Sequence, residues 1–129
     1  MASFNAGDCE DPGFSRLTLV LNANDAELIQ CLKQLDKLID VVECEQLTPA
    51  TSVQRELTLI RVEPTADKKE ALYNLVLEFL GKTPLAAGNS IIVEFTGEVG
   101  EVERLIEALR PYNITEIVRT GAVAIKVEA

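Results

Sequence analysis

Leu17, Leu19 and Leu21 alternate with Thr18 and Val20, and this period of two predicts a strand. The preceding "SFNAGD" reads as an earlier strand and "CEDPG" as the turn between them, so the chain opens on a hairpin. Asn24 follows as a helix N-cap with Glu27 three residues on. Leu28, Leu32, Leu35 and Ile39 then recur at helical spacing, with Cys31 and Leu38 alongside and Gln30, Lys33, Gln34, Asp36 and Lys37 elsewhere. That pattern predicts an amphipathic helix lying on a sheet. "IDVVECEQL", residues 39–47, predicts another strand. The polar, proline-containing "TPATSV", residues 48–53, predicts a domain boundary.

The second part is more regular. "RELTLIRVEP" predicts a strand from Arg55 that ends at Pro64. A helix is predicted over 67–80, with Leu72, Leu75, Val76 and Phe79 inward and Gly81 as a left-handed cap. "KTPLAAG" predicts a short strand that Pro84 confines to an edge or a bulge. "NSIIVEFTG" predicts a strong strand. A second helix, 98–109, presents Val102, Leu105, Ile106 and Leu109, and Pro111 lies just beyond it. "ITEIVRTGAVAIKV" closes the chain as a strand, a kink at Gly121 and a second strand segment.

From Arg55 onward the order is β-α-β-β-α-β, a ferredoxin-like arrangement with two helices on one face of an antiparallel sheet. Residues 1–48 show only ββαβ, the same unit without its first strand and helix. The expected class is therefore α+β: a partial domain at 1–48, a linker at 49–54 and a ferredoxin-like domain at 55–129. A three-stranded sheet under one helix leaves an unpaired edge and a bare face, both of which invite another chain.

Composition narrows the chemistry. The 129 residues carry a net charge of −9, which opposes binding to nucleic acid. No apolar run approaches the roughly 20 residues that span a bilayer, so no membrane partner is expected. No basic and then apolar leader is present, which points to the cytoplasm, or to a plastid in a plant or alga. The three cysteines lack close spacing, which fits packing roles in a reducing compartment. The chain has no histidine, so a Ser–His or Cys–His nucleophile and the commonest zinc ligand are both excluded.

The remaining motifs are weak. "GKT" at residues 81–83 follows a helix where a phosphate-binding loop precedes one, and Val76 stands where that loop needs glycine. "GEVGEVERL" places carboxylates at a helix start, where they suit the helix dipole and repel phosphate. The scattered carboxylates, Glu43, Glu45, Glu94, Glu98, Glu101 and Glu103, lack a nucleophile or ligand set that would make them an acid–base pair. Arg119, before Thr120 and Gly121, has two readings. It is solvated or paired with Glu116 at a bulge, or it is a fork for a carboxylate of this chain or of a partner. Arg16, after the "DPG" turn, has the same two readings, and Arg55 is expected to tie the linker.

"SRLTLVL", "LIQCLKQLDKLIDVVECEQLT", "VQRELTLIRV", "IIVEFTG" and "LRPYNITEIVRTG", in this order, resemble the regulatory (small) subunit of acetolactate synthase, also called acetohydroxyacid synthase. The resemblance runs over nearly the whole chain. It implies an N-terminal ACT domain followed by a second ferredoxin-like domain. It also implies a subunit without catalysis or a cofactor of its own; the unpaired edge and bare face of residues 1–48 add the expectation of a homodimer or of docking on the large subunit. Such a subunit binds and activates a catalytic (large) subunit that carries thiamine diphosphate, Mg and FAD. It confers feedback inhibition by valine or another branched-chain amino acid. In the family an Asn–x–Pro–Gly-type effector loop follows the first ACT strand, and "SFNAGDCEDPGFSR" corresponds to the second strand and the turn after it. Asn5 and Gly7 are therefore the residues expected to flank an effector site, and weak valine binding is expected. The alternative reading is a free-standing ACT-like module that senses a small metabolite without an enzyme partner.

Overall fold

The computed structural model describes residues 3–20, 25–37 and 45–128. The chain divides into two compact units, one of Met1–Val53 with Ala124–Ala129 and one of Gln54–Val123.

In the first unit, β1 (Ser3–Asp8) and β2 (Ser15–Val20) form the expected antiparallel hairpin. The Phe14 N–H closes the turn on the Asp11 carbonyl at 3.2 Å, and Gly13 takes a φ of 84° that glycine adopts without strain. The helix α1 (Asp25–Asp36) follows. The expected cap Asn24, the stripe residues Leu38 and Ile39, Cys44 and most of the strand expected at 39–47 lie outside the described residues. Residues 45–47 are irregular. A turn follows in which the Thr51 N–H donates to the Thr48 carbonyl at 3.0 Å and the Ser52 hydroxyl to the same carbonyl at 2.7 Å.

β3 (Ser52–Val62) begins inside the expected linker. The early start has a partner: β7 (Val123–Lys126) pairs with β3, and the Val127 N–H donates to the Thr51 carbonyl at 2.9 Å. Backbone groups paired in this way lengthen the strand in spite of its polar sequence.

The second unit contains β3, α2 (Lys69–Glu78), β4 (Lys82–Ala87), β5 (Ser90–Gly97), α3 (Val99–Leu109) and β6 (Ile114–Arg119). The strand order β4-β5-β3-β6, antiparallel throughout, is that of a ferredoxin-like sheet. A single 3₁₀ turn, Ala66–Lys68, leads into α2. Both predicted helix stripes lie on the core: Leu72, Val76, Val102, Leu105, Ile106 and Leu109 are buried, and Leu75 and Phe79 pack against them. The sheet contributes Ile60, Val62, Ile91, Val93 and Phe95. The Phe79 and Phe95 rings meet edge to face at 6.1 Å. β4 is an edge strand with a register shift between Lys82 and Leu85, around Pro84.

The cap of α2 corrects one expectation. Leu80, not Gly81, is left-handed, with φ 60°. The Gly81 N–H reaches the Val76 carbonyl at 2.9 Å and the Leu80 N–H reaches Leu77 at 3.0 Å, the paired bonds of a Schellman turn. Gly81 is glycine for a different reason. A Cβ there would lie 3.1 Å from the Glu94 carbonyl oxygen and 3.2 Å from Val76 Cγ1.

Among the described residues, no helix is long and apolar enough to cross a membrane.

Candidate functional site

The hairpin brings three of the four singled-out residues together. Asn5 stands opposite Thr18, and Gly7 opposite Arg16. Residues two apart on a strand share a face, so Asn5, Gly7 and Arg16 line one face with Ser3, Thr18 and Val20. Asn5, Thr18 and Val20 are half-buried there. A Cβ built on Gly7 meets nothing within 4 Å, so close packing does not demand glycine at this position. The Arg16 guanidinium lies 3.5 Å from the Glu10 carboxylate, with both side chains largely exposed. Such a pair contributes under about 1 kcal/mol and leaves Arg16 accessible. The opposite face carries Phe4, Leu17 and Leu19, all exposed.

Arg119 lies in the second unit, on the helix-covered face of the sheet. Its Nε donates to Glu56 Oε1 and its Nη2 to Glu56 Oε2 at 3.2 Å. Its Nη1 reaches Glu103 Oε1, on α3, at 2.8 Å. The Glu56 side chain is 1% exposed and that of Arg119 19%. The hydrogen bonds Arg119 donates to Glu56 raise its pKa further above its ordinary value, and Glu103 adds to this against the opposing effect of burial. The fork reading therefore holds, with carboxylates of this chain. The expected pairing with Glu116 does not occur, because residues three apart on β6 face opposite sides of the sheet; Glu116 lies opposite Arg61, which holds its carboxylate at 3.3 Å. Gly121 has the expected positive φ, 81°.

Glu56 was not singled out by the sequence, yet its signal is there. Position 56 is in phase with Thr58, Ile60 and Val62, all of which point inward. The Thr58 hydroxyl donates to the Val118 carbonyl at 3.2 Å, which satisfies the other buried polar group in the middle of this strand. Arg55 donates to the Gln54 carbonyl at 2.7 Å and lies 3.8 Å from Glu98. Among the described residues Glu56 is the only buried carboxylate, and no group of three His, Cys, Asp or Glu side chains is placed to hold a metal ion. A carboxylate held by two guanidinium hydrogen bonds braces the fold. The "GKT" residues Lys82 and Thr83 open β4, with no helix after them to form a phosphate cradle.

Comparison with known proteins agrees with this geometry. The family described as the small subunit of acetolactate synthase matches residues 55–128, which span the ferredoxin-like sheet and both of its helices. The acetolactate synthase small subunit of Bacillus subtilis is 39% identical over 125 residues, covering 95% of this chain and 72% of the relative. That of Mycolicibacterium smegmatis is 35% identical over 123 residues, covering 95% and 72%. The crystal structure of the acetolactate synthase small subunit from Thermotoga maritima superposes with a TM-score of 0.85 at 36% identity, covering 96% of this chain and 78% of that one. Sequence identity at this level across both units, with the same fold, establishes that the chain belongs to the acetolactate synthase small-subunit family.

Proposed function

We propose that this chain is the non-catalytic regulatory subunit of acetolactate synthase, and that it binds and activates the thiamine-diphosphate-dependent catalytic subunit. The observation that carries the reading is the identity with small subunits over 95% of the chain. The ionisable groups support it: the one buried carboxylate among the described residues is engaged by Arg119. The relatives named above are all small subunits, which favours this reading over a free-standing metabolite sensor.

In this reading thiamine diphosphate, Mg and FAD belong to the catalytic partner. The hairpin face of Asn5, Gly7 and Arg16 flanks the branched-chain amino acid effector. Arg16 is suited to an effector carboxylate because its pairing with Glu10 is weak and exposed. The exposed Phe4, Leu17 and Leu19 favour a homodimer, since burying them removes apolar area from water. The expected compartment is the cytoplasm, in keeping with the bacterial relatives.

The test mixes the chain with the catalytic subunit of the same organism and measures acetolactate formation with and without valine. The reading requires a higher rate than the catalytic subunit shows alone. An unchanged rate across a wide range of small-subunit concentration refutes it. Loss of the valine response in Arg16→Ala, with activation retained, supports the effector assignment.

A further inference from the structure

One flank of α2, beside the face buried on the core, is apolar. Tyr73 and Leu77, four residues apart on α2, are 36% and 68% exposed, and Leu80, two residues past the end of the helix, is 89% exposed. Position 80 is the informative one. Its φ of 60° is left-handed, a conformation that crowds any Cβ and that glycine adopts freely. The other non-glycine residue with positive φ is Asn113, a type that tolerates this conformation, and its side-chain amide donates to the Glu63 carbonyl at 3.3 Å. Leu80 has no such compensation. Neither the backbone nor burial within the chain favours a leucine there. A single exposed leucine is ordinary, but a strained one that follows two other exposed apolar side chains within a turn or two indicates a contact outside the chain.

The charges beside the stripe select the occupant. Glu70, Asn74 and Glu78, at intervals of four, run along one edge of the stripe, and all three are exposed. Lys69, at its N-terminal end, is held on the Gly88 carbonyl at 3.1 Å. If two copies docked stripe to stripe across an antiparallel two-fold, each acidic edge would face its own copy, and the net charge of −9 on each chain adds to the repulsion. A partner that flanks an apolar groove with Lys or Arg meets the same edge with opposite charge.

We propose that Tyr73 and Leu77 of α2, with Leu80 just beyond its end, form a docking surface for the catalytic subunit, with Leu80 seated in an apolar groove whose basic rim faces Glu70 and Glu78. The proposal rests on the regulatory-subunit reading. It is tested by titrating the catalytic subunit with the wild-type chain, Leu77→Gln, Leu80→Gly and Glu78→Lys, reading affinity and acetolactate formation together with each variant's melting temperature. Leu77→Gln and Leu80→Gly are expected to weaken binding about tenfold or more, the size of effect seen at anchor residues. Leu80→Gly is expected to melt no lower than wild type, because glycine relieves the left-handed backbone. Glu78→Lys is expected to weaken binding most at low salt. Wild-type affinity in both leucine variants overturns the proposal. So does altered sedimentation of the Leu77→Gln chain alone with its binding to the catalytic subunit intact, which makes the stripe a self-association face. A wild-type chain that does not bind the catalytic subunit refutes the regulatory-subunit reading itself, and the proposal falls with it.

Discussion

Arg119 on β6 places two guanidinium nitrogens on the two carboxylate oxygens of Glu56 on β3, beneath α3, where Glu103 takes a third nitrogen. The pair is unequal in exposure, 1% for Glu56 and 19% for Arg119. Removing the arginine strands a charge in the interior. Arg119→Ala should therefore cost about 3–5 kcal/mol in urea unfolding. Replacing both members by methionine should cost distinctly less than Arg119→Ala alone, because no uncompensated charge remains. Equal losses in the two variants would show that the arginine acts through packing.

The core of the second unit gives a more ordinary expectation. Leu105 is fully buried between α3 and the sheet. Leu105→Ala should cost about 2–5 kcal/mol in the same measurement, from lost burial and the cavity left behind. A cost below about 1 kcal/mol would mean that the neighbouring side chains collapse into the space.

Two glycines should fail on substitution for different reasons. Gly81→Ala brings a methyl group to 3.1 Å from the Glu94 carbonyl oxygen and 3.2 Å from Val76 Cγ1, and should destabilise by about 1–3 kcal/mol through overpacking. Gly121→Ala meets a backbone at φ 81° and should cost about 1–2 kcal/mol. Gly81→Asn separates the two causes: asparagine tolerates a left-handed backbone, so only steric crowding predicts continued loss at position 81.

One acid is expected to titrate abnormally. Asp67, in the 3₁₀ turn before α2, has its pKa held below 3.8, first by the hydrogen bond from the Thr65 side chain and then by its own backbone N–H. A carboxyl whose folded pKa is depressed contributes stability above its unfolded pKa and loses it as pH falls through the folded value. Carbon-detected NMR should therefore place the Asp67 carboxyl midpoint below the ordinary aspartate value. In Thr65→Ala the midpoint should move up toward the ordinary value.

Much of the second unit was legible because its apolar residues repeat with the period of the element they occupy. The stripes on α2 and α3 reach the core as predicted, and Pro84 marks the irregular edge strand. What escaped follows from pairing that a one-dimensional pattern does not encode. Ser52 and Val53 read as linker and become strand because β7 supplies a partner. Arg119 and Glu116 are near in sequence, yet three residues apart on β6 they point to opposite faces, so Glu116 meets Arg61 and Arg119 meets Glu56. Gly81 looked like the left-handed cap because glycine usually fills that place. The strain falls on Leu80 instead, and the glycine is required by the nearness of β5. In the first unit the hairpin was announced by "DPG" between two alternating runs.

The bulged rim at Pro84 has a bearing on growth. An incoming strand laid along β4 would meet a missing amide hydrogen and a broken cadence of donors and acceptors. Elongation from that side is disfavoured, and the far margin is irregular too, because the ladder between β3 and β6 shifts register between Arg61 and Val62. A sheet interrupted at each margin offers no regular template for another chain to add to.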